Sequence, residues 1–441
     1  MALAATFLGG AKGRLLAPLV PFRFFGTALL FQVLAWGVLL AAADEVSHFQ
    51  GGLGWPLAAL HLVTLGVLVM TAVGASLQLL PVATRQAVSA RRWPYAALWA
   101  GLTLGVGVLT LGMGLAWPSL LMVGAMLTSA ALLGYLVLLA RNLHGAKGMA
   151  LVVTHGWAAV LSLLVLLGAA WSLVGVYQGT AVLVRSSAMG LHVSFAAYGF
   201  MGLLVMGFSY ILVPMFALSD NPSPHWAWLS LLLALLALVV AAMASIAWLG
   251  VHAWAAAAAL GLGALMVHVG LMLRALRSGM RQGLGKPFVL VRLGWAALIA
   301  SLLVALMRAF DLLPQWGSTV FGVLLVGGLL TVLMGVLSRI VPFLASMHAG
   351  AGQRRAPTPS SLTAQRPLNI HFYCHVGAML LLLVACVQGS AWMLRLAAAL
   401  GLAGACAFGS FFVIAWRRMR QNAPASERVT PAQTSSLRQI N

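Results

Sequence analysis

The stretch His61 to Pro81, HLVTLGVLVMTAVGASLQLLP, decides how this chain is read, because its glycine and proline spacing returns twice. Counting from His61, glycines stand at +5 (Gly66) and +13 (Gly74) and a proline at +20 (Pro81). The same offsets from Ser194 give Gly199, Gly207 and Pro214, and from Gly322 they give Gly327, Gly335 and Pro342. Each copy ends in a similar phrase, LQLLPV, YILVPM and SRIVPF, which reads as a helix stopping at its proline. The copies start 133 and 128 residues apart, a period of about four membrane helices. Small residues at +5 and +13 suit close helix packing, so Gly66, Gly199 and Gly327 are expected at helix contacts.

Around these copies the composition fixes the class. With 62% hydrophobic and 7% charged residues among 441 and a mean hydropathy of +1.03, the chain is excluded from the water-soluble globules. Apolar runs of about 20 residues or more fall near 20–42, 56–80, 94–117, 119–140, 150–173, 188–215, 226–249, 251–273, 287–308, 317–343, 370–388 and 392–416. The expected fold is an all-α polytopic membrane protein of twelve transmembrane helices in three pseudo-threefold four-helix repeats. A leader (1–23) precedes a single membrane domain (24–416) built of units at about 24–140, 150–273 and 287–416. A disordered cytoplasmic tail (417–441) follows, and most of the basic loop 349–367, with its APTPSS, reads as disordered too. If the repeats are equivalent, helices two, six and ten occupy matching inner positions.

The net charge of +20 encodes topology and gives no reason to expect nucleic acid as a partner. Assigning alternate loops to opposite sides puts 22 of the 25 lysines and arginines on one side and only Arg185, Arg308 and Arg395 on the other. That asymmetry predicts a bacterial inner-membrane protein with both termini cytoplasmic. Ala41 to Ala43 imitate a signal-peptide cleavage site, but the apolar run is too long for one. The five carboxylates, Asp44, Glu45, Asp220, Asp311 and Glu427, lie in loops, at helix ends or in the tail. This argues against a cation-coupled carrier or a carboxylate proton pump, which place acids at membrane depth. Cys374, Cys386 and Cys406 form no CxxC pair and read as buried free thiols.

Histidines are therefore the side chains on which chemistry depends. His61 and His192 begin helices that descend from the outer face, while His155, His268, His371 and His375 lie toward the cytoplasmic side, where they are candidates for a second, metal-binding site. His371 and His375, at i and i+4, share a helix face from which two imidazoles reach one metal. The structural alternative for each is a hydrogen bond to a backbone carbonyl. His48, His144, His225 and His348 read as loop residues.

The leader APLVPFRFF (17–25), the His61 helix and the phrase LMGVLSRIVPF (333–343) resemble the NnrS family, membrane proteins carrying haem and copper. Twelve helices in three groups of four also resemble the catalytic subunit of haem-copper oxidases and nitric oxide reductases. The resemblance implies that His61, on the second helix, is an axial haem ligand in a cavity between helices two, six and ten, with His192 lining the same cavity. The tenth helix carries no histidine, Gly322 standing where the repeat puts His61, and the paired copper histidines expected after the sixth helix are missing. A complete oxygen-reducing centre is therefore not expected. A methionine such as Met70, Met201 or Met206 is available as a further haem ligand, and a Met- and His-lined interior also suits copper. The implied function is haem binding, with copper as a further cofactor and a redox partner or gaseous ligand as partner. A cofactor-free permease for a small solute and an assembly factor for a respiratory complex are the alternatives.

Overall fold

The computed structural model describes residues 14–49, 51–86, 91–250, 252–281, 283–350 and 356–422. Among them are twelve helices long and apolar enough to cross a membrane: α1 (Leu19–Ala41), α2 (Trp55–Ala83), α3 (Trp93–Gly114), α4 (Pro118–His144), α5 (Ala150–Val176), α6 (Arg185–Ala217), α7 (Pro224–Ser245), α8 (Ala253–Ser278), α9 (Gly285–Ala309), α10 (Gly317–Ala349), α11 (Gln365–Gln388) and α12 (Ala391–Gln421). No strand occurs among the described residues. Pro56, Pro94, Pro118 and Pro224 each stand in the first turn of their helix, where a missing N–H costs no hydrogen bond. The first three follow Trp55, Trp93 and Trp117, amphipathic rings of the kind found at membrane interfaces.

The packing is cyclic with a period of four helices. In each unit the first helix packs on the second (α1 on α2, α5 on α6, α9 on α10) and the third on the fourth (α3 on α4, α7 on α8, α11 on α12). The fourth then meets the first of the next unit, α4 on α5 and α8 on α9, and α12 closes the ring on α1. An ion pair between Arg395 of α12 and Asp44 beyond α1 spans that closure. Helices α2, α6 and α10 are innermost, with 67%, 78% and 56% of their apolar windows buried, against 22–50% for the other nine. The chain is thus a polytopic helical membrane protein. Its two ends are called here the basic side, where the chain enters α1, and the opposite side, where Asp44 and Arg395 meet.

Glycine contacts show how the repeat works. A Cβ on Gly74 of α2 would stand 2.7 Å from Phe24 of α1, on Gly207 of α6 it would stand 2.9 Å from His155 of α5, and on Gly335 of α10 it would stand 2.8 Å from Val291 of α9. Two turns nearer the opposite side, Gly66 meets Phe31 at 2.7 Å and Gly199 meets Ser162 at 2.8 Å. In α10 the residue that does this is Gly328, 3.1 Å from Leu298, whereas Gly327 turns to Met379 of α11. On the partner helices the two contacts are seven residues apart in every unit: Phe24 to Phe31, His155 to Ser162, Val291 to Leu298. On α2 and α6 they are eight apart, and on α10 seven.

The extra residue is absorbed by π-helical turns, Leu62–Val69 in α2 and Ser194–Gly202 in α6, while α10 is α-helical throughout. A π turn fits one more residue into nearly the same rise, and such turns are frequent at functional sites. His61 directly precedes the first segment and His192 stands two residues before the second. Counting back five from the packing glycine, the position of α10 that corresponds to His61 is accordingly Val323, one residue from the expected Gly322.

Several expectations are corrected. Pro81, Pro214 and Pro342 lie inside their helices, and α10 continues seven residues past Pro342 to Ala349. Helices of a packed membrane bundle tolerate such prolines because their neighbours can satisfy the freed carbonyls. The leader is already helical from Leu19, and Arg417 to Gln421 extend α12; residues 423–441 lie outside the described ones. Within 349–367, residues 351–355 are likewise not described, but Pro359–Leu362 form a helical turn capped by the Thr358 hydroxyl, and Leu362 is buried. Arg418 donates to the carbonyls of Ser361 and Thr363 at 3.1 Å each, which fastens that turn to α12. His348 is not a loop residue: it sits in the last turn of α10, buried near Phe22.

Candidate functional site

The folding of α2 beside α6 brings His61 and His192 together near the opposite side, with ring centroids 6.2 Å apart and ring planes at 36°. His61 Nδ1 lies 3.0 Å from the carbonyl of Leu57, one turn back. A carbonyl only accepts, so Nδ1 carries the proton and Nε2 holds the lone pair in the neutral ring. His192 Nδ1 is buried with no hydrogen-bond partner among the described residues. Leaving such a nitrogen unpaired costs about 1–3 kcal/mol, which a ligand at the pair would offset.

A cavity does lie between α2, α6 and α10, but it is on the basic-side half, lined by Thr71, Ala75, Met201, Ser209, Val336 and Arg339, and its volume is about 70 Å³. Neither His61 nor His192 lines it. Drug-sized ligands occupy pockets of about 300–1,000 Å³, and a porphyrin belongs in that range. The central cavity therefore does not fit a haem. A single ion between the two imidazoles needs no cavity of that kind.

The four inner histidines divide into two groups on different helices. His155 of α5 and His268 of α8 flank the Tyr210 ring of α6, at centroid distances of 5.6 and 5.1 Å. His371 and His375 of α11 stand 5.3 Å apart against α10 and α12, and α11 packs on neither α5 nor α8. One shared metal site for all four is thus replaced by two separate pairs, because the residues belong to different units of the ring. Among the described residues no group of three or more His, Cys, Asp or Glu side chains is placed to hold a metal.

Within these pairs much of the polarity is satisfied locally. His155 Nδ1 is 2.8 Å from the Leu151 carbonyl, and His371 Nδ1 is 3.0 Å from the Gly404 carbonyl of α12. Thr331 of α10 donates to the Gly327 carbonyl at 2.6 Å, so His375 Nε2, 2.9 Å from the same hydroxyl, must be the donor to it. Thr331→Val removes that acceptor and should cost about 1–3 kcal/mol, read as a lower melting temperature in detergent. Thr331→Val combined with His375→Phe should recover most of the loss, since removing both partners leaves nothing unpaired.

Sequence reasoning passed over Tyr210, Trp295 and Thr331. Tyr210 was signalled by its place in the repeat's closing phrase, YILVP, but periodicity gives no sign that it separates two histidines. No family model matches the chain, and no curated protein is similar to it in sequence.

Proposed function

We propose that this protein holds a redox metal at its outer face, with His61 and His192 as the ligands and copper as the metal. The observation that carries this reading is the 6.2 Å between the two rings. A ring nitrogen stands about 1.1 Å from its centroid and a metal–imidazole bond is about 2 Å, so two imidazoles on opposite sides of one ion have centroids about 6 Å apart. Zinc asks for four ligands, whereas monovalent copper accepts two nitrogens, and two imidazoles are the ligands this pair brings. Bound copper would supply one-electron chemistry and an open position for a small ligand. The chain's own part is to orient: the Leu57 carbonyl fixes the His61 tautomer, and each histidine stands just before the π turn of its helix.

The lysine and arginine asymmetry supports a bacterial inner-membrane location with the basic side in the cytoplasm, so the pair faces the outer compartment, within reach of a redox partner or a dissolved gas. The haem implied by the resemblance to the NnrS family requires α2 and α6 to part around a porphyrin, and for this reason we favour copper.

The test is metal analysis of protein purified from cells supplied with copper and haem, alongside oxidised and reduced visible spectra. About one copper per chain is expected, lost in His61→Ala and in His192→Ala and kept in His371→Ala. A Soret band that His61→Ala abolishes would replace copper by haem at the same residue. Wild-type protein with neither copper nor haem would overturn the reading and promote the permease.

A further inference from the structure

A second cavity, larger than the central one, is not lined by the histidine pair. It lies to one side, between α6, α7, α8, α9 and α10, with a volume of about 650 Å³. Its mouth is at the opposite side, where Ser186, Arg308 and Asp311 line it and are exposed. Its floor is formed by His268 of α8 and Trp295 of α9. His268 is ten residues from the Ser278 end of α8 and Trp295 ten from the Gly285 end of α9, so both stand about 15 Å above the basic side. Arg308 lies thirteen residues beyond Trp295, about 20 Å farther along α9.

The floor carries unanswered polarity. His268 is 1% exposed and neither of its ring nitrogens has a hydrogen-bond partner among the described residues; Trp295 is 2% exposed and its Nε1 has none either. Of the other polar groups on the wall, the Tyr198 hydroxyl is already answered, 2.9 Å from Ser301 Oγ, and Ser194 lies one turn nearer the mouth along α6. Most of the remaining wall is alanine, leucine and valine with the rings of Trp254 and Phe321. An indole N–H only donates, so the occupant must bring an acceptor to Trp295; an imidazole gives one donor and one acceptor. The walls select a lipophilic body, and the rings favour a flat one.

We propose that this cavity binds a lipophilic ring compound with carbonyl oxygens, of the quinone class, its oxygens against Trp295 Nε1 and His268 and its tail running toward the mouth. Quinones dissolve in the bilayer around the helices, and their carbonyls accept the two hydrogen bonds that the floor can donate. The site is separate from the metal pair and does not depend on it.

The test is a calorimetric titration of the full chain in detergent with decylubiquinone, using decylbenzene as a probe of similar chain without carbonyls. Saturable binding at one site is expected, about tenfold weaker in Trp295→Phe, which keeps the ring and removes the donor. Ala305→Phe, which fills the cavity from α9, should abolish binding, and the elution profile and melting temperature of each variant report folding. Decylbenzene binding as tightly as decylubiquinone, or affinities unchanged in both variants, would overturn the proposal and leave a pocket for acyl chains. The copper content should be unaffected by either substitution, so the failure of one reading is distinguishable from the failure of the other.

Discussion

Deleting Val69 from α2 is expected to leave a folded protein, whereas deleting Leu330 from α10 is expected to leave none. Val69 lies between Gly66 and Gly74, where α2 spends eight residues on a distance that its partner α1 covers in seven. The surplus residue is what the π segment Leu62–Val69 accommodates. Its removal restores the seven-residue spacing already used by α10, so both glycines keep their contacts with Phe24 and Phe31 through a regular α-helix. Leu330 lies between Gly328 and Gly335, where no residue is spare. Losing it turns one end of α10 by about 100° relative to the other and swings its packing glycines off α9. Size-exclusion profiles in detergent and yields of membrane-inserted protein read both outcomes. Equal damage from the two deletions would show that the π turns do not carry an inserted residue.

The second large effect is expected at Gly124. A Cβ there would stand 2.3 Å from the Leu109 backbone, its nitrogen and Cα both, so the obstruction cannot be relieved by turning a side chain. The contact is reciprocal: Gly112 of α3 would meet the Leu121 backbone at 2.4 Å and Gly105 the Thr128 backbone at 2.7 Å. These glycines let α3 and α4 approach backbone to backbone, a packing that membrane helices rely on because lipid gives them no hydrophobic reason to associate. Gly124→Val should therefore cost about 3 kcal/mol or more, since the hairpin must open. Gly134→Ala on the same helix meets nothing within 4 Å and should be neutral or stabilising by up to about 1 kcal/mol. Thermal unfolding of the two variants side by side checks the contrast, and a neutral Gly124→Val would refute the close approach.

Apolar runs and turn prolines located all twelve helices, because length and hydropathy are properties of each segment alone. The recurrence of Gly66/Gly74, Gly199/Gly207 and Gly327/Gly335 gave the period of the fold, since close packing demands small side chains wherever the helices lie. The same pattern was one residue out in α10, where Gly328 replaces Gly327, because a spacing written in residues cannot show that two helices contain a wider turn. His61 and His192 were identifiable as candidates from their depth and from the resemblance, whereas their meeting at 6.2 Å depends on how α2 and α6 are turned toward each other in the bundle. The grouping of His155 with His268, and of His371 with His375, was not legible, because similar depth says nothing about which neighbour a helix face meets. The lateral cavity was hidden for the same reason: Trp295 and His268 are 27 positions apart in sequence and share a floor only once α8 packs on α9. The sequence by itself determined the class, the helix count and the repeat, which rest on local hydropathy and side-chain size; the tertiary structure alone decided which polar groups are left unanswered, because satisfaction of a buried hydrogen bond depends on the neighbour and not on the residue.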